Sequence, residues 1–469
     1  MSSQEELAVC IKTLPYQTPI EVAKLFASEK NTVLLHSAKP HDTLARYSFL
    51  GVRPYETIVA KNNWIRQGHQ TFQGNVFSLI QQKLKQTQFK CQPDLPPFQG
   101  GGMGYFSYDL NRLLERVPLP RNDDSVLPDC IFAFYDLVFA WDHRRETLYL
   151  FSTGLPLQGQ KRRIHAQERQ QALLEFMHHA QQVFSITSIK TTSNIRLLSD
   201  ITSNFDRQSY TSAVQKAIDY IYAGDIFEVN ISQRFEAMIE ADAFDLYCRL
   251  QENNPAPFSG LLNFDACQII SSSPERFIKL HDSMIEACPI KGTRRKNLDS
   301  QQDALIQAEL LASKKDRAEN IMIVDLMRND LSRVSVPHSV NVPVLCGLQS
   351  FATVHHLVST VTAKLDAQYD AIDLIKASFP GGSITGAPKI RSMEIIAEIE
   401  PTARGPYCGS MGYIGFDGNM DLSILIRTYA LKRNRITFQA GGAITADSDP
   451  QTEYQETLDK AAALTNTLY

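Results

Sequence analysis

Lys291 stands in the run Pro289-Ile290-Lys291-Gly292-Thr293, a glycine-bounded turn that follows an apolar, strand-like stretch. A lysine held there out of bulk water can shed its proton and act as a nucleophile or base. On its own the pentapeptide suits a solvated surface better. Asp316 with Glu319 and Glu453 with Glu456 repeat a spacing that puts both acids of each pair on one helix face. Like charges so placed repel mildly in water and strongly in a dry cleft unless a cation sits between them. By spacing alone, ordinary solvated faces are the better reading, with Glu456 and Lys460 a routine i,i+4 pair. Glu275 lies between two strand-like pairs, Ile269-Ile270 and Phe277-Ile278. Burial there would raise its pKa and make it a proton donor near neutrality; the competing reading is an ion pair with Arg276. Arg427, among Leu425, Ile426 and Tyr429, needs an anionic partner from the protein or from a substrate carboxylate.

Further along come Lys315-Asp316-Arg317-Ala318-Glu319-Asn320, His355-His356-Leu357-Val358-Ser359, FPGGSITGAPK from Phe379 to Lys389, and Glu453-Tyr454-Gln455-Glu456 before Lys460. With Lys291 and Glu275 ahead of them, these motifs resemble the chorismate-utilising enzymes of the anthranilate synthase component I family, in register from about Asp206 onward. The resemblance implies a set of roles. Glu319 and Glu456 bind Mg²⁺, Asp316 and Glu453 stand behind them, and the metal holds the ring carboxylate of chorismate; an all-oxygen site that keeps water suits Mg²⁺. Arg427, Lys460, Thr385 and the backbone of Gly441 and Gly442 serve the substrate. Glu275 is the general acid toward the C4 hydroxyl, and His356 lies near the ring, whereas His355 falls at a variable position.

Lys291 selects a branch. Anthranilate synthases usually carry Ala at this position, whereas the aminodeoxychorismate synthases carry Lys. Its amine is expected to add at ring C2 as the C4 hydroxyl leaves; ammonia then adds at C4 and expels it, giving 4-amino-4-deoxychorismate for p-aminobenzoate and folate synthesis. Such an amine must be substantially neutral near pH 7, through a desolvated site or a cationic neighbour. Anthranilate synthase component I is the alternative, and a catalytically silent chorismate- or tryptophan-binding regulatory subunit is the non-enzyme one. The second needs neither an acid nor a buried lysine. Isochorismate and salicylate synthases also use a lysine, toward water; the complete SITGAPK run and the long N-terminal part speak against them. No Gly-x-Cys-x-Gly nucleophile turn with a His partner is present, so ammonia is expected from a separate glutamine amidotransferase subunit. Ser37, Arg46, Tyr47 and Ser48 match a tryptophan pocket of relatives. His36 replaces the Glu of feedback-inhibited anthranilate synthases, so tryptophan regulation is not expected. Glu228, where Gln is common, and Ala443, where Gly is common, depart from the pattern at positions not expected to touch the chemistry.

The elements that must position these groups read as α+β. The resemblance implies two large antiparallel β-sheets packed together with helices outside. Residues 1–155 are β-rich, with a hairpin turning at Asp142-His143-Arg144-Arg145-Glu146; 156–205 is a helical linker, whose helix from Lys161 to Gln182 faces inward through Ile164, Leu173, Leu174 and Phe176; 206–469 is the chorismate-binding part. Leu305, Ala308, Leu311, Ala318, Ile321 and Met322 recur at near-helical intervals. Asp449-Pro450 reads as the entry to the last helix. The glycine-rich segment Phe98 to Tyr105 lacks a following Lys-Ser/Thr and reads as a turn or a close backbone approach, not a phosphate loop. The 469 residues are 43% hydrophobic, enough for a large core, and a net charge of -4 gives no case for nucleic acid. Eight scattered cysteines without zinc-like spacing, no apolar membrane span and no leader-like N-terminus lead to the expectation of a cytoplasmic protein.

Overall fold

The computed structural model describes residues 9–38, 45–186, 195–297, 299–350 and 354–469. Among the described residues two antiparallel sheets, of 13 and 12 strands, form the body of the fold. Each draws on both ends of the chain. In the first sheet, Cys10–Leu14, Thr147–Ser152, Leu137–Asp142, Tyr47–Gly51 and Thr32–His36 lead to Phe258–Asn263, Gln268–Ser273, Thr428–Lys432, Arg435–Ile444 and Glu228–Glu240. In the second, Ile290–Arg295, Val354–Lys364, Met284–Ala287, Arg276–His281, Met420–Ile424 and Ser410–Gly415 continue into Gly101–Phe106, Cys130–Tyr135 and Glu56–Lys61. Leu262 pairs with Val33 at one joint and Gly412 with Gly104 at the other, so early and late segments are continuous in both sheets.

Side chains from the two sheets share one core; Phe49 of the first packs edge-on against Tyr413 of the second, centroids 5.2 Å apart. A second core, around Trp141, Phe26, Leu173, Tyr247 and Leu464, lies between the first sheet and the outer helices. Burial on both faces explains strands such as Cys130–Tyr135, in which every residue is buried. Its neighbour is the glycine-rich run: a Cβ on Gly102 would lie 1.9 Å from Phe132 Cε1, and one on Gly104 would lie 2.0 Å from Ile131 O. The run is therefore a strand built for close approach.

The hairpin forms as read, with Thr147 opposite Asp142. Other runs behave differently. The apolar stretch from Cys130 to Trp141 breaks at Asp136 and changes sheet, with Asp136 held by Arg169 at 2.7 and 3.1 Å. The linking helix spans Gly159–Ile186 and buries Leu173, but Ala166 and Met177 complete its inner face and Ile164 points outward, 47% exposed. Residues 300–332 form two helices, Ser300–Ala312 and Lys314–Ser332, because the Ser313 hydroxyl accepts from Asp316 N at 3.2 Å and starts the second. Leu305 and Leu311 are consequently exposed. The last helix, Pro450–Thr467, is capped by Asp449 with proline in its first turn.

Candidate active site

Two sheet-to-sheet crossings lie side by side. Ser273-Pro274-Glu275 links Gln268–Ser273 to Arg276–His281, and Leu425-Ile426-Arg427 links Met420–Ile424 to Thr428–Lys432. They bond to each other: Ile424 N donates to Glu275 O at 3.0 Å, Ser272 N to Arg427 O at 3.1 Å, and the Ser273 hydroxyl to Ile424 O at 2.6 Å. This crossing fixes Glu275 and Arg427 independently of any helix.

Glu275 is buried, and it does not pair with Arg276, whose guanidinium goes to Asp421 and Glu286 at 2.9 Å each. Burial pushes its carboxyl up to about 7, against the Ser383 hydroxyl, which donates to Oε1 at 2.8 Å, the nearby Lys291 charge and the Ile290 N–H. A carboxyl so placed holds its proton near neutrality and can give it away.

Lys291 lies on Ile290–Arg295, where the register with Val354–Lys364 shifts at Gly292, whose φ of 78° suits glycine. Its ammonium is buried and donates to Glu228 Oε1 at 2.8 Å. Burial works against the charge, but Glu228, then Glu319 and Glu275, more than reverse it and hold the group above the ordinary lysine value. The neighbours are thus carboxylates rather than cations, and the neutral amine expected from the sequence is not the resting state. Glu228 was the residue sequence reasoning missed. Its departure from Gln was visible, but nothing local ties it to a lysine 63 positions away.

The acids on the helices converge in part. Glu453 is buried, and a Cβ on Gly442 would lie 3.0 Å from Glu453 Oε2 and 3.2 Å from Glu456 Oε1, so that glycine seats both. Burial and then Glu456 hold Glu453 above the usual carboxylate range, while the Ser448 hydroxyl donates to it at 2.7 Å. Glu319 is also raised, by burial first, with Lys291 opposing and Glu228 adding. Lys315 lies 4.0 Å from Glu319 and acts on Glu453 as well, which relates the two helices. Asp316 instead pairs with Arg294 at 3.1 Å. Among the described residues no three such groups already form a metal cage.

Arg427 is half-buried in a left-handed backbone conformation, φ 51°, and among the described residues no carboxylate pairs with its guanidinium. Lys460 donates to Gly441 O at 2.9 Å and pairs with Glu456 at 2.6 Å. Thr385 is fully buried and donates to Gly381 O at 2.9 Å; Arg404 binds Ile384 O at 3.0 Å and the partner strand at Asn230 O, fixing this loop. Lys389, which ends the SITGAPK run, is bonded to Asp330 and Ser378 O. His356 bonds Thr293 Oγ1 at 2.8 Å, beside the bulge that carries Lys291, whereas His355 is enclosed by Ser350 and Asp303.

A separate cavity of about 1250 Å³ is lined by Ser37, Arg46 and Tyr47, with Met411 and Tyr413 opposite; none of Lys291, Glu275, Glu319 and Glu456 reaches it. Arg46 pairs with Asp142 and lies over the Tyr47 ring, 4.7 Å from its centroid. Ser48 is fully buried behind the wall and bonds His143 at 2.7 Å. His36 bonds Tyr247 and is pushed down to about 3 by burial and His143. No described helix is long and apolar enough to cross a membrane.

The family described as chorismate binding enzyme matches residues 30–466. Aminodeoxychorismate synthase component 1 of Klebsiella aerogenes is 41% identical over 439 residues, covering 92% of this chain and 93% of the relative. Anthranilate synthase component 1 of Bacillus subtilis (strain 168) is 36% identical over 472 residues, covering 97% and 91%. The crystal structure of anthranilate synthase component I from Streptococcus pneumoniae TIGR4 superposes with a TM-score of 0.77 at 31% identity, covering 91% of this chain and 93% of that one. The two-sheet α+β architecture is shared with that structure, and the chain belongs to the chorismate-binding enzymes.

Proposed function

We propose that this chain is the synthase component of an aminodeoxychorismate synthase, converting chorismate and ammonia to 4-amino-4-deoxychorismate. The observation that carries the reading is Lys291, buried, on the second sheet and within the field of Glu275. Glu275 gives its proton to the departing C4 hydroxyl while Lys291 forms a bond to C2; ammonia then adds at C4 and the lysine leaves. Arg427, with no carboxylate partner among the described residues, is available to one of the substrate's two, and Lys460 and the Gly441-Gly442 backbone border the same ground. His356 is held beside the bulge to face the ring.

The hard-oxygen donors fit Mg²⁺, with Glu319 and Glu456 to hold it and Glu453 behind; Asp316, tied to Arg294, acts through that pair. The raised Glu319 and Glu453 carboxyls are the groups that a cation would favour in their ionised form. When bound, the metal neutralises the ring carboxylate. Ammonia comes from a glutamine amidotransferase subunit, in keeping with the component 1 designation of the relatives. The cavity at Ser37, Arg46 and Tyr47, at about 1250 Å³, is larger than a tryptophan, which would fill part of it as a structural ligand. The product formed from chorismate, ammonium and Mg²⁺ tests the assignment. An aminated product that keeps its pyruvyl group is expected; anthranilate with free pyruvate would make the chain an anthranilate synthase component.

A further inference from the structure

We propose that Glu228 is the proton acceptor that turns the Lys291 ammonium into an amine at the moment of attack, and the donor that recharges it afterwards. This rests on the reading of Lys291 as the nucleophile. Glu228 Oε1 lies 2.8 Å from Lys291 Nζ with both side chains buried, and Glu228 Oε2 is buried with no hydrogen-bond partner among the described residues. The carboxylate therefore has an oxygen on the ammonium and spare acceptor capacity shielded from water. Its backbone is pinned: Glu228 pairs with Ala387, Ser392 Oγ donates to Glu228 O at 3.1 Å, and Gly386 leaves no room for a Cβ, which would lie 2.1 Å from Glu228 O. Two other acids act on Lys291, Glu275 and Glu319, and each has another role in the proposed function, Glu275 toward the C4 hydroxyl and Glu319 toward Mg²⁺.

The protons balance. Lys291 passes one to Glu228 and its freed pair forms the C2–N bond; the C4–O bond breaks, and the oxygen leaves as water with the proton from Glu275. When ammonia has bonded to C4, the C2–N bond returns its pair to Lys291, which takes its proton back from Glu228. Glu275 is reprotonated from solvent or by the new ammonium group. Because the pair shares one proton, this transfer needs no titration by bulk water.

The test is single-turnover adduct formation with chorismate and Mg²⁺ but no ammonia, read by intact mass across about pH 6 to 8, for wild type, Glu228→Gln and Glu228→Asp. The ratio of variant to wild-type rates cancels the limb due to Glu275. For Glu228→Gln the ratio should be roughly a tenth or less at the acid end and climb by up to about tenfold per pH unit, since its lysine must lose its proton to water. Glu228→Asp, which keeps a carboxylate, should be slower than wild type with a flat ratio. A flat ratio near one for the Gln variant, or a climbing ratio for the Asp variant, overturns the proposal. No adduct in wild type, with amination persisting in Lys291→Ala, overturns the nucleophile reading itself.

Discussion

The Ser383 hydroxyl donates to Glu275 Oε1 at 2.8 Å and so couples the Gly381–Thr385 turn to the acid on the neighbouring sheet crossing. The bond favours the carboxylate, opposing the burial that pushes Glu275 up to about 7. The protonated carboxyl is the working form, so kcat/KM should fall as pH rises through about 7. Ser383→Ala removes a group that holds the pKa down, and the alkaline limb should move to higher pH. A limb that moves down, or disappears while Glu275→Gln remains fully active, would show that Glu275 is not the acid.

Lys291→Ala should abolish the covalent adduct and impair amination, with residual chemistry shifted toward direct attack of ammonia at C2 and anthranilate-type product. It should also destabilise the fold, because Glu228 would keep a buried charge with no counter-ion. Breaking a buried pair from one side costs about 3–5 kcal/mol. Adding Glu228→Gln to Lys291→Ala should recover much of that loss without restoring the adduct. Denaturant unfolding of the two variants checks the stability half, and intact mass checks the chemical half.

Local chemistry made much of this architecture legible. The turn at Asp142 to Glu146, the Asp449-Pro450 helix entry and the alternation of helices and strands after Asp206 all follow from residues in contact with their sequence neighbours. The near-helical spacing from Leu305 to Met322 gave the helical character of this segment but not its break at Ser313, whose hydroxyl caps the second helix. What could not be read locally is where the chain changes sheet. Asp136, Glu275 and Arg427 all stand between strands that look continuous, and only the pairing of early with late strands separates them. The Lys291–Glu228 contact has the same origin: it arises between strands of different sheets, so no periodicity on either strand announces it.

Replacing Glu319 or Glu456 by Gln removes one hard anionic oxygen from the proposed Mg²⁺ set. A loss of about 3 kcal/mol in transition-state stabilisation slows turnover on the order of a hundredfold. EDTA should abolish wild-type activity and Mg²⁺ should restore it. If both variants keep wild-type rates and the same Mg²⁺ dependence, these helices carry ordinary surface acids.

Gly441 and Gly442 are neighbours, yet a methyl group on each should do different things. On Gly442 it meets Glu453 Oε2 at 3.0 Å and Glu456 Oε1 at 3.2 Å, the ends of two side chains that can move by a few tenths of an ångström without disturbing the strand. Gly442→Ala should therefore fold normally and displace the acids, raising the Mg²⁺ concentration for half-maximal activity by roughly tenfold, equivalent to about 1.4 kcal/mol. On Gly441 the methyl meets Ile231 O at 2.4 Å, a backbone atom of the paired strand. Gly441→Ala should lower the unfolding midpoint, because the backbone, not a side chain, has to give way. Mg²⁺ titration and thermal unfolding of both variants separate the two effects, and equal shifts in the same measurement would remove Gly442 from the metal site.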